Sequence, residues 1–211
     1  MLVDFDILTV ILGFIIFIII TFIFKFKFKK ENIYILFCFI MFLYILNVVK
    51  LTLFPFPIFS DWYEPNLFES INLVPFENVL NRDSLLNIIM MIPLGFGLPF
   101  VSKINNWIKI LIAAFLSGLI IESFQFIIGL VISKGFTFRF IDIDDAICNF
   151  MGVVIGFCFL KIFSDVFLKL LKNSNSGLNK FWDYIFDVTT TVAGGNTRAQ
   201  INEKTDRHSQ K

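Results

Sequence analysis

Residues 5–24 form a nearly pure run of isoleucine, phenylalanine and leucine, with Asp4 and Asp6 at its start. A helix rises about 1.5 Å per residue, so a run of this length covers roughly the 30 Å of a bilayer's hydrocarbon. A helix apolar on every side has no favourable place in water, whereas in lipid it satisfies its own backbone and exposes only side chains that lipid accepts. Comparable runs occupy residues 33–54, 85–101, 107–132 and about 142–163. The chain has 211 residues, 57% of them hydrophobic, 17% charged and 30 of them phenylalanine, which is more apolar surface than one water-soluble core of this size can hold. These features predict an all-α, polytopic transmembrane bundle of about five spans in the cell membrane. No basic residue precedes the first run and no small-residue cleavage site accompanies it, so it reads as a retained helix and not a removed leader.

Charge at the span ends orients the bundle. Lys25, Lys27, Lys29 and Lys30 follow the first run, Lys103 and Lys109 lie between the third and fourth, and Lys161, Lys169, Lys172 and Lys180 follow the fifth. Basic residues concentrate on the cytoplasmic side, so the expected topology is N-terminus outside and C-terminus inside. The segment between spans two and three is acidic, with Asp61, Glu64, Glu69, Glu77 and Asp83 against Arg82, and Trp62 and Tyr63 suit an interface there. It falls on the outer side in this topology. Pro55 and Pro57 stop the second helix. Pro93, Gly95, Gly97 and Pro99 predict a broken, irregular third span.

Residues 1–171 are thus expected as the membrane domain and 172–211 as a polar, disordered cytoplasmic tail. Within that tail residues 181–186 read as a short amphipathic piece, and the polar stretch begins at Thr189. Cys38, Cys148 and Cys158 all lie in apolar runs without ligand spacing, so they read as small buried hydrophobes. The single histidine, His208, sits in the tail, which argues against histidine-based catalysis.

The informative polar residues lie inside the spans. On a helix, Asp142, Asp145, Asn149, Gly152 and Gly156 recur at spacings of three, four, three and four and share one face. Ala114, Gly118, Glu122, Gln125 and Gly129 do the same on span four. In the expected topology Asn87, Glu122, Gln125, Asp145 and Asn149 all fall in the outer leaflet, with Arg139 just above them. The glycines and Ala114 fit close helix packing. Glu122 does not, because a carboxylate at that depth is costly unless it is paired, protonated or wet.

These residues also carry a resemblance. Asn72-Leu73-Val74-Pro75-Phe76, Asn87 followed by Pro93-Leu94-Gly95-Phe96, Ile121-Glu122 with Gln125, and Arg139, Asp142, Asp145, Asn149 and Gly152 come in this order. In these blocks, over about residues 72–156, the chain resembles the VanZ-like integral membrane proteins, named for a teicoplanin-resistance protein of Gram-positive bacteria. The resemblance implies a cell-envelope role and, in some members, lower susceptibility to glycopeptide or lipoglycopeptide antibiotics. It implies no particular reaction.

Three functional readings stay open. In the first, a non-enzymatic factor binds an envelope lipid or precursor in the outer leaflet. Arg139 would meet its phosphate, and Asn72, Asn87, Glu122, Gln125, Asp142, Asp145 and Asn149 would form the polar cluster. Pro93, Gly95, Gly118, Gly152 and Gly156 would then serve helix packing. In the second, an intramembrane enzyme acts on a lipid phosphate with Glu122 or Asp145 as general base. The third is a transporter of such a lipid. No Ser/His or Cys/His pair supports the enzyme, so the first is preferred. Nothing in the sequence calls for a metal, a cofactor or a nucleic acid partner, and a homo-oligomer is compatible with it.

Overall fold

The computed structural model describes residues 2–58, 71–76, 82–133, 141–172 and 179–194. Within them run α1 (Ile7–Phe22), α2 (Asn32–Leu53), α3 (Arg82–Val101), α4 (Trp107–Ile127), α5 (Ile143–Lys172) and α6 (Lys180–Val192). Helices α1 and α4 each end in one wider π turn, Ile23–Lys27 and Ile128–Ile132. Five segments are long and apolar enough to cross a membrane: Ile7–Lys27, Asn32–Leu53, Arg82–Val101, Trp107–Ile132 and Ile143–Leu171. The chain is a multi-pass membrane protein.

Its centre is the pair α3 and α5, the most extensive helix contact in the molecule. A Cβ on Gly95, Gly152 or Gly156 would fall 1.9 Å from the Val153 carbonyl oxygen, 2.3 Å from that of Ile88, or 2.0 Å from that of Ile92. The two backbones therefore touch, and only glycine permits it. Both partners of each contact advance together along the sequence, so α3 and α5 run parallel. Helix α4 runs antiparallel beside them: Gly118 meets Ala146 and Trp107 packs edge-on against Phe157. Ile110, Ala114, Gly118 and Glu122 are buried along α4, which realises the expected small-residue seam. Met91, Val153, Phe157 and Leu160 fill the core.

Helix α2 covers one side of α3, and α1 packs on α2 through Phe14 and Phe17 against Phe39 and Phe42. No residue of α1 is buried, so its surface is left for lipid. Two short strand pairs tie the ends of the helices. β1 (Leu2–Val3) pairs antiparallel with β2 (Phe56–Pro57), and β3 (Ile71–Asn72) pairs parallel with β4 (Ile141–Asp142). Both pairs lie at the end of the bundle opposite the Lys25–Lys30 cluster.

Three expectations need correction. Helix α3 is continuous through Pro93 and Pro99, not broken. Each proline removes one backbone bond, and the close α5 packing holds the helix through the losses. Pro93 itself sits on the exposed side of α3, away from the glycine seam. Helix α5 does not stop near Phe163 but continues to Lys172. Its extra turns are covered by α6, whose Trp182 stacks on Phe167. Finally, α6 is longer than the expected 181–186 piece and takes in Thr189–Thr191. Threonine looked polar enough for a tail, but each hydroxyl donates to a carbonyl one turn back, from Thr189 to Ile185 at 2.8 Å, from Thr190 to Phe186 at 2.7 Å and from Thr191 to Asp187 at 2.7 Å. With its hydroxyl satisfied, Thr189 is fully buried.

Candidate functional site

The end of the bundle that carries β3 and β4 is where the polar residues converge. The parallel register sets Asn72 beside Asp142, and the Asn72 amide donates to the Asp142 carboxylate at 3.3 Å. The other oxygen of Asp142 caps α5 by accepting the Asp144 N–H at 2.9 Å. Asn72 in turn accepts the Val74 N–H at 3.0 Å, which folds the 72–76 segment into a turn. Phe76 closes that turn at φ 69°, a left-handed conformation that costs a non-glycine residue about 1–2 kcal/mol. Its N–H donates to Asp144 at 2.6 Å, and that carboxylate is fully buried. The 72–76 segment is thus fastened onto the start of α5.

Glu122 lies on the adjacent face of α4. Gly118 is in contact with Ala146, so one turn further along α4 corresponds to one turn back along α5. Glu122 therefore comes to lie beside Asp142 and Asp145, with the Asp142 N–H directed at its carboxylate. Its side chain is 8% exposed, and among the described residues Oε2 has no hydrogen-bond partner. Gln125, almost one turn on, donates its Nε2 to the Thr52 carbonyl at 3.0 Å. That carbonyl is in the last turn of α2, where intrahelical donors run out. The bond fixes the amide's orientation and leaves Gln125 Oε1 as a buried acceptor without a donor. Asn149 is 1% exposed on α5, and its Oδ1 is likewise unpartnered.

The structure thus joins Asn72, Asp142 and Asp144 in one hydrogen-bonded set and places Glu122 against Asp142 and Asp145. Gln125 is bound to α2, and Asn149 lies three residues from Gly152 on the face that meets α3. Asn87 is half-buried on α3, and among the described residues its side chain makes no hydrogen bond. Arg139 lies outside the described residues. Gly95, Gly118, Gly152 and Gly156 all stand at helix contacts. Among the described residues there is no cluster of three or more His, Cys, Asp or Glu arranged to hold a metal ion.

Asp144 was absent from the predicted site. On a helix it falls off the face shared by Asp142, Asp145 and Asn149, and its partner is a backbone N–H 68 residues earlier in the chain. The only sequence signal for it was the turn-forming Asn72 and Pro75, which must dock somewhere.

Among the described residues three buried side-chain oxygens have no protein donor, where buried acceptors usually have a partner. Gln125 Oε1 and Asn149 Oδ1 can only accept, whereas the Glu122 carboxyl accepts when ionised and can also donate when protonated. The arrangement is suited to a partner that supplies O–H or N–H groups.

The chain was compared with known families and proteins. A model of the VanZ/LLP1 family matches residues 37–164, which is more than half of the chain. No curated protein and no solved structure matches. The match runs from within α2 to within α5, and so covers the strand-bound 72–76 segment, the glycine seams and Glu122. The chain belongs to the VanZ/LLP1 family.

Proposed function

We propose that this protein is a non-enzymatic factor of the bacterial cell membrane that binds an envelope lipid or its precursor in the outer leaflet. Binding lowers the susceptibility of a Gram-positive cell to glycopeptide or lipoglycopeptide antibiotics such as teicoplanin. The observation that carries this reading is the set of unpartnered buried oxygens on Glu122, Gln125 and Asn149. A glycosylated or peptide-bearing headgroup presents hydroxyl and amide donors that such acceptors bind. A buried acceptor without a donor costs about 1–3 kcal/mol, and a donor group of the ligand offsets that cost. Arg139 supplies the cation for the lipid phosphate. Orientation follows the lysines, which put the Glu122 end outside.

The test expresses the wild type, Glu122→Gln and Arg139→Ala in a susceptible Gram-positive host. Membrane abundance and teicoplanin susceptibility are recorded together. The reading expects normal abundance and lost protection for both variants. Loss of abundance in both would mean that these groups only hold helices together. Turnover of a labelled envelope lipid in proteoliposomes that depends on Glu122 would replace the binding factor with an enzyme.

A further inference from the structure

The turn that follows β3 has an apolar tip outside the core. Leu73 is 69% exposed, Val74 60% and Phe76 72%, and Pro75 between them is exposed as well. Residues 71–76 carry no charge. Four adjacent exposed apolar residues form a patch of the kind that meets a membrane or another protein.

Three observations select the membrane. The first is place. The parallel register sets Ile71 and Asn72 beside Ile141 and Asp142, and the fifth span begins at the next residue, Ile143. The tip is therefore anchored where α5 enters the bilayer, at the end that also exposes Leu85, Leu86 and Ile89 in the first turns of α3. The second is the backbone. The Val74 N–H donates to the Asn72 side chain at 3.0 Å, Pro75 has no N–H, and the Phe76 N–H donates to Asp144 at 2.6 Å. No N–H from Val74 to Phe76 is left for water, which a turn needs if it is to enter a layer poor in hydrogen-bonding partners. A turn facing water has no such requirement. The third is Phe76 itself. Its left-handed backbone is held by Asp144, yet its side chain adds nothing to the core. Strain of this kind is sustained where the residue it presents has a use.

We infer that Leu73, Val74 and Phe76 form an interfacial anchor that inserts into the lipid leaflet at the end of the bundle opposite the Lys25–Lys30 cluster. The partner of this surface is the bilayer. Its depth is the boundary between headgroups and acyl chains, roughly 5–10 Å in, because the carbonyls of an irregular turn still need water and cannot enter the hydrocarbon. Asn72 at the base of the turn holds Asp142, which lies beside Glu122. The anchor thus fixes the rim of the polar cluster at headgroup depth. It does so whether or not that cluster binds a ligand.

The test uses the full chain in phosphatidylcholine nanodiscs and adds one tryptophan at a time, by Phe76→Trp or Leu73→Trp. Both side chains are exposed, so folding is spared, and Leu73→Trp leaves the strained residue untouched. Wild-type fluorescence, from Trp62, Trp107 and Trp182, is subtracted. The quenchers are phosphatidylcholine brominated high on its acyl chain, the same lipid brominated near the chain end, and acrylamide in the water. The inference expects both added tryptophans to be quenched at least about twofold more by the high bromines than by the low ones, and only weakly by acrylamide. Strong quenching by acrylamide without quenching by either lipid places the tip in water and overturns the inference. Protection from all three quenchers overturns it in favour of a protein partner, such as a second copy of the chain. Stronger quenching by the low bromines overturns it in favour of a loop buried in the hydrocarbon.

Discussion

Replacing Gly156 with alanine tests the helix pair on which the whole bundle rests. The new Cβ would sit 2.0 Å from the Ile92 carbonyl oxygen and short of ordinary contact at 3.4 Å by about 1.4 Å. Neither side can yield by rotating a side chain, since one atom is a Cβ and the other is backbone. The helices must separate along the seam, which also loosens Gly95 against Val153 and Gly152 against Ile88. Overpacking of this kind costs up to about 3 kcal/mol, roughly a 100-fold change in the folded-to-unfolded ratio. The purified protein is unfolded by titration with SDS and followed by circular dichroism. Gly13→Ala is the control, because its Cβ is tight only against the flexible tip of Leu46, at 2.9 Å, with Phe42 in ordinary contact at 3.6 Å, on a helix with no buried residue. Both changes gain the same helix propensity, so their difference isolates the clash. We expect Gly156→Ala to lose up to about 3 kcal/mol of stability and Gly13→Ala to stay close to wild type. Equal midpoints for the two would refute the close backbone approach of α3 and α5.

Other expectations follow from single contacts. Asp144→Ala removes the acceptor of the Phe76 N–H, so hydrogen exchange at residues 71–76 should quicken and stability should fall by about 1–3 kcal/mol. Gln125→Leu strips the Thr52 carbonyl of its donor and should fray the last turn of α2, seen as faster exchange there. Burial raises the Tyr184 phenol from 10.0 to about 12, with Tyr34 and Cys38 adding to the shift. The folded state therefore keeps this proton where the unfolded chain loses it. The contribution is intact below pH 10 and lost as pH rises towards 12. Tyr184→Phe should remove that share of the alkaline slope in a stability titration.

Much of this architecture was legible in the chain. Five spans followed from apolar runs about 20 residues long, because lipid leaves no alternative to helices there. The glycine faces of spans four and five followed from spacings of three and four. What stayed hidden depended on partners far apart in sequence or on bonds a side chain makes to its own helix. The threonines of α6 looked solvated until their hydroxyls were seen to bond one turn back. Pro93 and Pro99 looked like breaks because the holding surface belongs to α5, more than fifty residues later. Asp144 falls off the face shared by Asp142, Asp145 and Asn149, and only the pairing of Ile71 and Asn72 with Ile141 and Asp142 brings Phe76 to it. Glu122 was visible as an anomaly from the start, and in the fold it is still unmet at one oxygen.

That chemistry is best tested at Asn149, through Asn149→Leu, which keeps the branched shape and the number of heavy atoms while replacing the amide with larger methyl groups. The measurement is the unfolding midpoint of the purified protein, taken beside the antibiotic protection it gives in cells. If the buried Oδ1 waits for a ligand, leucine removes an unpaired polar group, so stability holds or rises while protection is lost. A fall of about 2 kcal/mol or more would instead show that Asn149 already bonds within the bundle, and the ligand account of the three oxygens would be wrong.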